Sequence, residues 1–134
     1  MRRWMIIGLL LVLALPAGCA SFSDSARMGV FEATARSYER AIRWSEFENA
    51  YGFVRAPAGA AVPDFEQLKN IRVTNYDEIG AKLLPDGKTV EQIIRVQYVR
   101  TDRMAVRTLT VIQRWQYDDK EKRWFLQKGL PEFR

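Results

Sequence analysis

The chain predicts an α+β domain: an N-terminal helix, with a kink left open, packed on a curved antiparallel sheet of about four strands. Three observations lead there. Met28, Phe31, Ala35, Tyr38 and Ile42 recur at three- and four-residue spacing, the apolar stripe of one helix. From Lys69 onward the period switches to two, in segments rich in β-branched and aromatic residues. Turn-forming clusters divide that half at Pro85-Asp86-Gly87, at Thr101-Asp102-Arg103 and at the polar run 118–123. The sheet's apolar face needs a cover, and the helix is the only one available.

The elements follow in order. Ser23 or Asp24 suits an N-cap, because a short side-chain oxygen accepts from the helix's free N–H groups. Glu32–Arg36 and Glu39–Arg43 are i,i+4 pairs in the favourable orientation on the wet side. After Arg43 a second stripe, Trp44, Phe47, Tyr51 and Val54, is rotated from the first. Either the helix continues, covered on two sides, or it kinks near Arg43–Ser45; Gly52 ends either version. Residues 55–63, rich in Ala, Pro and Gly, read as a connection, with Phe65 and Leu68 pinning its far end. "IRVTNYDEIGAKLL" is one long strand or two short ones. In "TVEQIIRVQYVR", Val90, Ile94, Val96 and Tyr98 face one way, with Arg95 and Gln97 opposite. "MAVRTLTVIQRWQY" is the third strand, and the polar run closes a last hairpin into "WFLQK".

Composition excludes several chemistries. The 134 residues make one domain, without internal repeats. The chain has no histidine and one cysteine, which removes internal disulfides, His/Cys metal sites and Ser–His or Cys–His nucleophile pairs. Net charge is +5, and about +3 without Arg2 and Arg3, too little and too interspersed to argue for nucleic acid.

The first residues divide as a signal peptide does: Arg2 and Arg3, an apolar stretch from Trp4 to Leu15, then Pro16-Ala17-Gly18. The stretch is short against the roughly 20 residues of a spanning helix. With Cys19 directly after Ala17-Gly18, the region resembles the lipobox of bacterial lipoproteins, although Pro16 stands where an aliphatic residue is usual. The resemblance implies cleavage between Gly18 and Cys19 and lipidation of Cys19 with palmitate-class acyl chains. Two or three chains anchor durably where one does not. Ala20, in place of an Asp, then implies the periplasmic face of the outer membrane in a two-membrane host. Residues 1–18 are thus the leader, 19–25 a lipidated tether and 26–134 the folded domain.

The helix with "SYERAIRWSEFENAY", the Asp86-Gly87-Lys88 turn and the closing hairpin with Trp115, Tyr117 and Trp124 resemble the NTF2-like (cystatin-like) superfamily over roughly residues 25–130. That resemblance implies a cone-shaped fold which hosts enzymes, ligand binders and scaffolds alike. Many relatives dimerise through the sheet, so a homodimer is one expectation. Classical members begin with three helices, where this chain has length for one or two.

Two residue sets stand out. Trp44, Phe47, Tyr51, Tyr98, Trp115 and Trp124 line a ligand pocket or form the core where helix meets sheet. Arg95, Arg100, Arg103, Arg107 and Arg114 form a basic interaction face or ordinary solvation. Asp77 beside Tyr76, or Tyr98 with a carboxylate across the sheet, is the nearest approach to acid–base machinery. Alternation, however, sends Asp77 and Glu78 to opposite faces. Asp118, Asp119 and Glu121 lack the spacing of a calcium loop. The expectation is a non-enzymatic envelope protein without metal or cofactor, bound to the membrane by lipid and to an envelope protein partner. The alternative is a small-ligand carrier or sensor using the concave side of the sheet; a pocket lyase or isomerase ranks third.

Overall fold

The computed structural model describes the backbone of residues 18–134, with side chains from residue 23 onward. The leader and the Cys19 side chain, with the processing and lipidation read there, lie outside the described residues. The order is helix α1 (Gly18–Arg43), short helices α2 (Phe47–Tyr51) and α3 (Phe65–Leu68), then strands β1 (Ile71–Leu83), β2 (Thr89–Arg100), β3 (Ala105–Asp118) and β4 (Arg123–Leu126). The strands form one antiparallel sheet in the order β1-β2-β3-β4. The architecture is α+β.

Helix α1 begins ahead of Ser23 and Asp24, so neither is its N-cap. Asp24 instead holds Arg27 one turn on, at 2.6 Å. The predicted stripe is the buried one: Phe31, Ala35, Tyr38 and Ile42 are buried, and Met28 packs at the margin. Of the two i,i+4 pairs, Glu39–Arg43 forms an ion pair at 2.7 Å, and Arg43 also donates to the Tyr76 carbonyl. No helix among the described residues is long and apolar enough to cross a membrane.

The second apolar stripe belongs to a separate element. Helix α1 stops at Arg43, Ser45 takes the left-handed conformation (φ 56°), and the chain re-enters as α2. The break leaves Trp44 on the outside, 74 % exposed, while Phe47 and Ala50 turn into the core. A stripe counted across a break aligns residues that share no helix. Helix α3 starts where Asp64 accepts from the N–H groups of Glu66 and Gln67, an N-cap just past the predicted connection.

Strand β1 is single but irregular, with register shifts between Val73 and Asn75 and between Glu78 and Gly80. Each shift is a bulge that bends and twists the strand. β2 and β3 pair without interruption from Thr89↔Gln116 to Arg100↔Ala105. Val90, Ile94, Val96, Tyr98, Trp115, Trp124 and Leu126 form the inner face under α1. The helix touches both outer strands, β1 and β4, so it lies across the whole inner face.

One end of the sheet is stapled to the start of α1. Arg27 Nε donates to the Gly87 carbonyl at 2.8 Å, and Trp124 Nε1 donates to the Arg27 carbonyl at 2.9 Å. Gly87 needs its left-handed φ of 67°, and a Cβ there would stand 2.7 Å from the Asp24 carboxylate. Asp86 closes the turn by accepting from the N–H groups of Lys88 and Thr89 and from the Thr89 hydroxyl. Lys88 pairs with Asp119 of the neighbouring hairpin turn.

Candidate functional site

The six aromatic candidates divide into separate groups. Trp115 and Trp124 bracket Phe31 edge-on, at centroid distances of 6.0 and 5.4 Å, and Tyr38 meets Trp115 at 5.3 Å. Phe47 and Tyr98 are joined by Phe133, at 5.1 and 5.0 Å. Tyr51 packs on Phe65 near the surface, and Trp44 stands alone outside. Most of the set is therefore interior packing, and the six do not converge on one cavity.

A polar thread runs through that interior. Trp115 Nε1 donates to Gln92 Oε1 at 3.0 Å, and Gln92 Nε2 donates to Glu78. Gln113 Nε2 donates to the Tyr38 hydroxyl at 3.1 Å; the Gln113 Oε1 and the Tyr76 hydroxyl have no partner. Burial pushes both tyrosine hydroxyls above their ordinary range, so they stay neutral and are poor proton donors. Asp77 lies on the outer face opposite Arg95 and accepts from Asn75, away from the buried Tyr76 ring. The Tyr98 hydroxyl exchanges hydrogen bonds with the backbone of Arg134 rather than with a carboxylate. Neither acid–base arrangement considered from sequence is assembled.

The five arginines do not share a face. Cross-strand partners lie on one side of a sheet. Arg95, opposite Thr110, and Arg114, opposite Glu91, are therefore outer, while Arg107, opposite Tyr98, and Arg100, opposite Ala105, are inner. Arg100 is buried and clamps Asp102 through two bonds, at 3.1 and 2.8 Å, holding that carboxyl below its usual range. Arg103 sits in the turn and is exposed. The polar run is also engaged internally: Asp118 accepts from the N–H groups of Lys120 and Glu121, and with Glu121 it holds Arg55, whose guanidinium lies 3.6 Å over the Phe125 ring.

What remains open lies along β3. β4 spans only Arg123–Leu126 and pairs with Trp115–Asp118. Beyond β4 Gln127 N–H still reaches the Arg114 carbonyl, Val54 bridges Leu126 from the other side, and among the described residues β3 from Ala105 to Gln113 has β2 as its only neighbouring strand. Two adjoining hollows follow this edge and share Leu109 and Glu132. One, of about 570 Å³, is lined by Tyr98, Val106, Arg107, Thr108 and Arg134. The other, of about 450 Å³, lies between Thr110–Arg114 and Lys128–Pro131. Together they make a groove beside an unpaired strand, the strongest candidate site on the molecule. Periodicity carries no information on which strand edges find partners. One signal was legible, in that "WFLQK" is too short to cover "MAVRTLTVIQRWQY".

A further hollow, of about 350 Å³, lies between the 56–64 connection, α3 and the 128–133 segment, with Tyr51, Leu68, Ile71, Phe133 and Arg100 on its walls. No protein-family model, curated protein or solved structure matches the chain.

Proposed function

We propose that the chain is a lipid-anchored envelope protein whose NTF2-like domain binds another protein and performs no catalysis. The observation that carries this reading is the open edge of β3, a row of backbone groups without a strand partner among the described residues, beside a groove. An exposed strand edge is a ready template for another chain. The filled aromatic interior argues in the same direction, since little of the concave face is left for a substrate. Exposed apolar residues gather on the outer side of the same strands: Ile112 opposite Ile93, and Val106 opposite the half-buried Val99.

The NTF2-like assignment rests on element order, one long helix crossing the inner face of a four-stranded antiparallel meander. The membrane part rests on Ala17-Gly18-Cys19 and on Ala20, which favours the periplasmic face of the outer membrane. Metabolic labelling with a palmitate analogue tests it: the parent takes up label and fractionates with membranes. A Cys19→Ser variant that does the same overturns the anchor. Photo-crosslinking from Thr108, on the open edge, and Ile93, on the outer face of β2, in the native membrane tests the partner, and the absence of any protein adduct at either position overturns the interaction reading.

A second reading, a small-ligand carrier or sensor, is favoured by the hollow of about 350 Å³, where the buried Arg100 stands with Lys128, Asp64 and Glu132 among Tyr51, Leu68, Ile71 and Phe133. Its occupant would be a small amphiphile with an anionic head. A Leu68→Trp reporter whose emission stays unchanged across a series of short-chain carboxylates removes this alternative.

A further inference from the structure

We propose that the open edge of β3 receives an extended acidic segment of a partner protein as an added strand. The inference rests on the protein-binding reading above and names the chemistry of the partner. Direction along the strand settles which backbone groups are offered. Tyr117 N–H donates toward the β2 side, to the Lys88 carbonyl at 2.8 Å. The Arg114 carbonyl points the other way and accepts from Gln127 N–H at 3.0 Å. Successive residues alternate, so Val106, Thr108, Thr110 and Ile112 aim their N–H and C=O groups away from β2, into the groove. The stretch is regular, since β2 pairs with it without a bulge. At about 3.3 Å per residue it offers roughly 30 Å of template. The opposite edge of the sheet, β1, is interrupted by two register shifts and is a poor template.

The walls give the partner its charge. Arg107, Arg114, Lys128 and Arg134 flank the groove against one side-chain carboxylate, Glu132, which Arg134 already holds at 2.8 Å. Among the described residues Arg103, Arg107 and Lys128 form no ion pair. A second copy of the chain would bring the same cations to the same edge, and like charges side by side oppose that pairing. An acidic strand meets them with opposite sign.

The test uses the full chain in non-ionic detergent with a fluorescein-labelled ten-residue peptide alternating Val/Thr with Glu, and its twin carrying Lys for Glu. The Glu peptide is expected to bind at least tenfold more tightly than the twin, with affinity falling as salt rises. It should slow amide exchange of Thr108, Thr110 and Ile112 at least tenfold, a readout that needs no variant. Thr110→Pro removes an outward N–H and should abolish binding while the cooperative melt persists, because proline is tolerated on an open edge. A double reversal, Arg107→Glu with Lys128→Glu, should invert the preference. Binding unaffected by Thr110→Pro, equal binding of the two peptides, or no exchange protection each overturns the inference. A concentration-dependent dimer dissolved by Thr110→Pro makes the occupant a second copy and overturns it too. In native membranes, an adduct from Ile93, on the outer face of β2, with none from the Thr108 edge removes this inference and leaves the interaction module standing. Adducts from neither position remove both.

Discussion

The two halves of β3 differ in one respect, and their properties follow from it. Trp115 and Gln116 have β2 on one side and β4 on the other, and the inward Trp115 is sealed beneath Phe31 and Tyr38. Ala105–Gln113 continues the same pairing with β2 in the same register, yet its inward Leu109 and Val111 are only half-buried and its inward Arg107 is exposed. Composition does not separate the halves, since both alternate β-branched or aromatic residues with polar ones. The length of β4 does. One half serves stability, and the other is left to recognition.

That contrast is best broken at its extremes. Trp115→Ala should cost about 3–5 kcal/mol, because it empties a sealed volume and strands Gln92 Oε1. The check is the urea midpoint, and a shift of under 1 kcal/mol would deny that this half anchors the core. Gly87→Ala should cost about 1–2 kcal/mol by forcing a Cβ into left-handed backbone beside Asp24, at the stapled end of the molecule. A melt equal to the parent's would mean that the turn shifts freely on α1.

Acid should act on the same end. The Thr89 hydroxyl, foremost, and the Lys88 N–H hold the Asp86 carboxyl below its ordinary 3.8, and the Glu121 N–H and Arg55 do so for Asp118. A depressed folded pKa means that these groups stabilise fully above about pH 4 and lose that contribution as pH falls through their lower folded values. Melting temperature measured from pH 6 to 2 should therefore fall with acid, and Asp86→Asn should flatten part of the slope. An unchanged slope would remove the turn from the account. The smallest effect belongs to the open half: Ile112→Ala should alter stability by less than about 0.5 kcal/mol. A larger loss would show that this surface is not idle in the free domain.

Much of the fold was legible locally. The stripe from Phe31 to Ile42, the switch to period two and the turn at Asp86-Gly87 all rest on neighbours a few residues apart, and all appear as read. The readings that changed needed distant information. Trp44 lies on the surface because α1 stops one residue before it, and the arginines scatter because register with β2 assigns their faces. α3 passed unnoticed because four residues carry too little periodicity to register.

By itself the sequence determined the class of the domain, the buried side of its long helix and the sites of its tight turns, since hydrophobic period and turn chemistry act over a few bonds. Only the tertiary structure decided which strand edges were satisfied, which aromatics were sealed and which cations were left facing a groove. Those depend on where segments some fifty residues apart come to rest, and each backbone hydrogen bond there is made or left open by a partner that the local sequence cannot name.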